Sequence, residues 1–321
     1  ALLLLGDQVY VDATAGVFDP RALDDRFRFA YERRRRLAIA RTRAAADRVH
    51  ALIDDHEIED NWEPDGSRAT QALREEALTY FKREHGLAPA APLWRVEARP
   101  LPMFLTDTRT DRTPRTATSA ESARLIGDAQ FDALCAFLLD QPRDVPKVVA
   151  SPAILLPRHR VAAGHPAHAL RSDSWDGYPH TFHRLLAFIA RERIRNVVFV
   201  SGDEHLGCVA RARLARAGDQ AEEVTVHSIH TPALYAPYPF ANAVPEDFDR
   251  TPFTFRDPGV PHDLYQCEID LWFPSELARA ASADGFAVVE VAAARRRPGW
   301  CLTVAYEFAD ARWRRRFWLR T

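Results

Sequence analysis

Cysteine is scarce in this chain, and the scarcity excludes two classes at once. The four cysteines (Cys135, Cys208, Cys267, Cys301) are widely spaced with no CxxC pair. Neither a zinc ribbon nor a dense disulfide framework fits them, and they read as small buried hydrophobes. An excess of one charge is also lacking. Lys+Arg total 43 and Asp+Glu 45, a net charge of −2, so a general binder of nucleic acid or another polyanion is not expected. No apolar run approaches the ~20 residues that span a membrane. The opening Ala1-Leu2-Leu3-Leu4-Leu5 carries no basic segment and no cleavage motif, so no export signal is legible. The compartment, cytoplasmic or exported, is left open. Oligomeric state is equally unread. There is no internal repeat and no low-complexity segment.

What is present suits a sizeable core: 47% of the 321 residues are hydrophobic. Leu2–Leu5 reads as a buried strand already under way. The expectation is a single domain over 1–321 that lacks its N-terminal first strand and any domain before it. Residues 24–52 have helical composition, and the Arg33–Arg36 run inside them reads as a solvated helix face. A second helix is expected at 71–83. Short strands are expected near 93–98 and 103–106. Phe131, Leu134, Cys135 and Leu138 at i, i+3, i+4, i+7 predict an amphipathic helix. A strand at 147–150, a long loop at 152–180, a helix at 181–193 and a strand at 197–200 follow. The last third reads as strands near 224–229, 286–291, 302–308 and 315–319. Helix–strand alternation first and strands later points to a layered α/β fold whose second sheet is completed late.

Three segments share one layout, an apolar step followed at once by a polar cluster. They are Leu2–Leu5 then GDQVYVD (6–12), Leu52-Ile53 then DDHE (54–57), and Val197–Val200 then SGDEH (201–205). In open α/β sheets ligands bind beyond the strand C-termini, where such clusters converge. The densest is DDHEIEDNW (54–62). Five carboxylates around one His beside an apolar Trp are costly to desolvate without cations. Asp7, Asp55, Asp203 and His205 would supply oxygen and nitrogen ligands, and Tyr10 a phenolate. Such a donor set suits two metals sharing a bridging carboxylate, with a metal-bound hydroxide attacking phosphorus. His56 titrates in the range suited to protonating a leaving alkoxide. Asp54 and Glu57 would orient the ligands from behind. Asp60, Asn61 and Trp62 would hold the loop against the core.

With these residues in view, the chain resembles the PhoD-like alkaline phosphatase/phosphodiesterase family, a branch of the calcineurin-like metallophosphoesterases. GDQVYVD, DDHEIEDNW, FLTDTRTDR (104–112), LIGDAQ (125–130), DSWDGY (173–178) and VVFVSGDEH (197–205) match its segments in order. The resemblance spans about residues 1–210. It implies a four-layer α/β/β/α sandwich with two mixed sheets and metal-dependent hydrolysis of small phosphate mono- or diesters. It also implies Asp7 as the bridging carboxylate, Asp55 at a ligand Asn position, His56 as the catalytic His, and Asp203 and His205 in the last signature. The carboxylate replacements imply harder cations, Ca²⁺ beside Fe³⁺, with Mn²⁺ or Zn²⁺ as substitutes. Tyr10 is implied as an Fe³⁺ ligand. The superfamily's middle ligand His is not evident, and Ser151 at that place is not assigned. Two readings of Arg109 stand: a bidentate grip on phosphate, or an ion pair with Asp107 or Asp111. Trp175 and Tyr178 either wall the pocket or anchor a loop, and His159, His165 and His168 are not assigned. The rival to an enzyme is a non-catalytic binding or scaffold protein that keeps the fold.

Overall fold

The computed structural model describes residues 1–13, 20, 22–36, 46–99, 101–163, 166–235, 242–274, 284–294 and 298–319. Its centre is a mixed eight-stranded sheet. β5 (Lys147–Ser151) and β6 (Val197–Ser201) lie in its middle and are buried at every residue. Valine-rich runs of this kind suit parallel strands covered on both faces. β4 (Met103–Leu105), β5, β6 and β8 (Asp219–His230) run parallel. β3 (Arg95–Glu97) closes one side, and β7 (Cys208–Arg216), β10 (Val260–Trp272) and β9 (Phe253–Asp257) extend the other, all antiparallel.

Alternation along the strands divides the core into two faces. On one face Val149, Val197 and Phe199 meet α3 (Asp128–Asp140) and α4 (Pro179–Arg191) through Phe131, Leu134, Leu138, Phe182, Leu185 and Ile189. On the other, Val148, Ala150, Val198 and Val200 meet two further groups of strands. One is the parallel pair β1 (Leu2–Leu5) and β2 (Val49–Leu52). The other is an antiparallel meander of β11 (Gly285–Ala293), β12 (Trp300–Phe308) and β13 (Arg312–Leu319). Leu3, Leu5 and Leu52 point into this second core with Leu302, Val304 and Phe317. Leu4, Ala51 and Ile53 point the opposite way, onto α1 (Leu23–Arg35) and α2 (Arg68–Glu84). Each large apolar side chain so buried contributes about 1.5–3 kcal/mol.

The structure differs from the sequence reading at three places. The helix expected over 24–52 is, in its described part, α1 alone; residues 37–45 lie outside the described residues, and Val49–Leu52 is a strand. Its register, Leu2 opposite Val49 through Leu5 opposite Leu52, explains why. Paired with the leucine strand, three of the four residues of this segment are buried. Second, two mixed sheets are expected, whereas the described strands form three sheets: the parallel pair, the mixed eight-stranded sheet and the antiparallel meander. Third, β7, β9 and β10 are longer or additional elements that the pattern hid. Their outward positions carry Arg211, Arg213, Glu268 and Asp270, paired across the ladder, so the strands look like polar loops in the sequence.

Candidate metal centre

The C-terminal ends of β1, β2 and β6 meet at one place, and two glycines allow it. A Cβ on Gly6 (φ +105) would lie 2.4 Å from Asp54 Cβ, and one on Gly202 would lie 3.1 Å from the carbonyl oxygen of Leu5. The turns that follow hold Asp7, Asp203 and His205 at φ of 52°, 81° and 54°. Side-chain-bearing residues rarely adopt such values, and they persist only where their surroundings impose them. Glu57 is one cause. Its carboxylate accepts the backbone N–H groups of Asp7 (3.0 Å), Gln8, Val9 (3.3 Å) and Asp54 (2.8 Å). It thereby ties the first turn to the second.

Three overlapping groups of potential ligand atoms result, each with its atoms within 4.8 Å of one another: Asp7–Asp55–His56, Asp54–Asp55–Asp203 and Asp173–Asp203–Glu204. Tyr10 and His205 join at one pole. The Tyr10 hydroxyl lies 3.4 Å from Asp7 Oδ2 and 3.2 Å from His205 Nε2, and that nitrogen is 3.8 Å from Asp7 Oδ2. The structure thus brings together Asp7, Tyr10, Asp55, His56, Asp203 and His205. Asp7 Oδ1, Asp54 Oδ2 and Asp55 Oδ1 are buried without a hydrogen-bond partner among the described residues. Burial first, then neighbouring carboxylates, push Asp7 and Asp203 well above the usual carboxylate range. Burial carries Asp54 up to about 7 against the opposing pull of Arg109. Orphaned oxygens on crowded, buried carboxylates are what a cation site requires, and these residues fit hard or borderline metal ions.

Arg109 is fully buried beneath the cluster. Its Nε donates to Asp54, Nη1 to Asp173 Oδ2 (2.5 Å) and Nη2 to Asp203 Oδ2 (3.4 Å), with Asp55 Oδ1 at 3.7 Å. Asp107 meets only its backbone N–H (3.0 Å). Burial raises Asp55 and Asp173, but Arg109 acting with His56 and the Asn61 N–H at Asp55, and with Arg112 and His159 at Asp173, holds both carboxyls below the usual range.

His56 sits beside Asp7 and Asp55. Its Nδ1 lies 2.9 Å from both oxygens of Asp12, and its ring lies 4.2 Å from that of Tyr10. Burial would lower its pKa, but Asp12, Asp7 and Asp55 raise it to about 10. Asp12 also accepts the N–H of Asp60 (2.6 Å), while Asn61 N–H holds Asp55 Oδ2 (2.8 Å) and Trp62 is buried.

Several residues escaped the sequence reading. Asp12 lay inside a quoted motif, but nothing local showed that it folds back 44 positions to His56. Asp173 opens DSWDGY, where the aromatics Trp175 and Tyr178 are the stronger signal. Trp175 and Tyr178 are buried in the core; Trp175 Nε1 donates to Ser151 Oγ (3.0 Å) and Arg115 stacks on Tyr178. Asn242 had no local signal at all. Its Oδ1 lies 3.0 Å from His205 Nδ1. His159 is buried between Asp176 (3.2 Å) and Glu204 (2.7 Å). His165 lies outside the described residues, and His168 Nδ1 lies 3.4 Å from the carbonyl of Ala163, away from the cluster. Among the described residues no helix is long and apolar enough to cross a membrane.

Comparison with known proteins bears on the fold and the family. No curated protein matches the chain. A solved structure described as the structure of PhoD superposes with a TM-score of 0.56 at 15% identity, covering 97% of this chain. The chain spans 65% of that protein's length, and the likeness shows the fold. The family model for PhoD-like phosphatases matches residues 1–252, which contain every residue of the carboxylate cluster. On that match, the chain belongs to the PhoD-like phosphatase family.

Proposed function

We propose that this chain is a metal-dependent phosphoric ester hydrolase acting on small phosphate mono- or diesters. The observation that carries the reading is the run of ligand-distance groups sharing Asp55 and Asp203, with orphaned oxygens on Asp7, Asp54 and Asp55. In this reading the fold is a single four-layer α/β/β/α domain. Its support is the shared core between the eight-stranded sheet, β1–β2 and the meander, with helices against the outer faces.

Asp7, Asp55, Asp203, His205 and Tyr10 would hold the ions, with Asp7 as the bridging carboxylate that the family resemblance implies. The oxygen-only pole around Asp54, Asp55 and Asp203 suits Ca²⁺; the pole with Tyr10 and His205 suits Fe³⁺, Mn²⁺ or Zn²⁺. Bound ions supply positive charge to phosphoryl oxygens and acidify a water for attack on phosphorus. The chain supplies the rest. Asp12 fixes a proton on His56 Nδ1 and leaves Nε2 to carry the second proton, at the edge of the cluster, to the leaving alkoxide. We assign Arg109 to neutralising the carboxylates from beneath, because its N–H groups already face Asp54, Asp55, Asp173 and Asp203. In this reading the guanidinium serves those carboxylates rather than gripping the substrate phosphate.

The test is hydrolysis of 4-nitrophenyl phosphate and bis(4-nitrophenyl) phosphate by chelator-treated and metal-reconstituted protein. Activity should need metal and be inhibited by phosphate and vanadate. His56→Ala should lose about 10²–10⁴-fold in turnover with metal retained. Metal uptake without hydrolysis of either ester favours the non-catalytic protein instead.

A further inference from the structure

The last turn of the cluster, Ser201–His205, is covered by a segment far along the chain. Asn242 and Ala243 reach it through two contacts one residue apart. Asn242 Oδ1 lies 3.0 Å from His205 Nδ1, and the Ala243 N–H donates to the carbonyl of Glu204 (3.0 Å). Beyond them the segment is fixed to the core. Ala243 and Phe248 are buried with Ile154, Leu206 and Cys208. Arg160 N–H donates to Asp247 (2.7 Å), Asp249 N–H donates to Arg158 (2.8 Å), and Phe248 lies against the His159 ring at 5.0 Å. The strap over 242–249 is therefore a fixed support on which an amide is aimed at one imidazole.

That imidazole faces the candidate metal pole with its other nitrogen. His205 Nε2 lies 3.2 Å from the Tyr10 hydroxyl and 3.8 Å from Asp7 Oδ2. An amide oxygen only accepts, so opposite Asn242 Oδ1 the Nδ1 of His205 carries the proton. Nε2 then presents its lone pair, the form in which histidine binds metal. His205 also holds φ 54°, a backbone value that its side chain resists and that contacts at both ends of the turn must maintain.

We propose that Asn242 is a positioning residue that fixes the tautomer and ring orientation of His205 and so sets the affinity of the nitrogen-bearing metal pole. This rests on the reading of His205 as a ligand. Partners of this kind typically change metal affinity by about 10–100-fold when removed. The effect is confined to one pole. Asp54, Asp55 and Asp203 offer oxygen alone and do not pass through His205.

The experiment measures binding of Zn²⁺ alone and of Ca²⁺ alone to the chelator-treated full chain and its variants. Asn242→Leu should weaken Zn²⁺ about 10–100-fold and leave Ca²⁺ unchanged. Asn242→Asp, which still accepts from Nδ1, should restore Zn²⁺ binding. His205→Ala should lose Zn²⁺ as well. If His205→Ala loses Zn²⁺ while Asn242→Leu binds it normally, the positioning role is wrong and the ligand reading stands. If His205→Ala keeps full Zn²⁺ affinity, the ligand reading fails and this proposal with it. If Asn242→Leu weakens both ions and lowers the melting temperature together, the contact is merely structural and the proposal is overturned. Should Asn242→Leu not fold, Asn242→Ala, which also lacks an acceptor, carries the same comparison.

Discussion

At His56 the chemistry turns on a contact between two residues 44 positions apart. Asp12 holds Nδ1 and is one of the groups that raise the imidazole to about 10 against burial. Replacing it with Asn removes a charge and keeps the shape. Asp12→Asn should therefore lower the His56 pKa and move the alkaline limb of the pH–rate profile to lower pH, with metal content unchanged. A profile identical to the parent's would remove Asp12 from this role. Beneath the cluster, Arg109→Leu leaves buried carboxylates without their countercharge. A loss of about 3–5 kcal/mol in urea denaturation of the metal-free chain is expected. The residue types and their clustering at 54–57 and 201–205 were legible in the sequence. The partners Asp12, Asp173 and Asn242 were not, because each acts across a fold that composition does not reveal.

At the scale of elements, the cluster exists because β1 and β6 end almost in contact. Gly202 permits this, since a Cβ there would press on the Leu5 carbonyl oxygen at 3.1 Å and on Leu5 Cβ at 3.2 Å. Both neighbours belong to a paired strand and cannot swing aside. Gly202→Ala should cost about 1–3 kcal/mol and weaken metal binding, because Asp203 and His205 move with the turn. Unchanged urea midpoint and unchanged affinity would show that the strand ends have slack. Helices α2, α3 and α4 and strands β4, β5 and β6 were legible because periodicity and apolar runs report burial directly. β7 and β10 were hidden because their Arg–Asp and Arg–Glu pairs make the outward face as polar as a loop. β2 was hidden because its four residues become a strand only when the Leu2–Leu5 segment lies alongside.

For the whole molecule, the carboxylate cluster couples folding to protons and metal. Unfolded aspartates titrate near 4. Folded and without metal, Asp54 is carried to about 7, and Asp7 and Asp203 lie well above the usual range. At these three carboxyls the folded chain thus holds protons above about pH 4 that the unfolded chain has lost. The stability these groups contribute is present at low pH and is lost as pH rises through their folded values. Bound metal removes that penalty, and protons compete with it for the same oxygens. The rise in melting temperature on adding Ca²⁺ should be small near about pH 5 and grow toward about pH 8. Taking the difference between metal-loaded and metal-free protein cancels the opposite trend of buried His227 and His230. Burial lowers these to about 4 and about 3, so they destabilise the fold as pH falls below about 6.5. A metal-induced rise that is flat with pH would contradict the coupling. The central claim is that these strand ends form a cation site. Its most direct measurement is equilibrium metal uptake by the chelator-stripped chain beside its Asp55→Asn, Asp203→Asn double variant. The account predicts stoichiometric uptake of Ca²⁺ and of Zn²⁺ or Mn²⁺ by the parent chain, lost in the double variant. No uptake by the parent, or equal uptake by both, would contradict it.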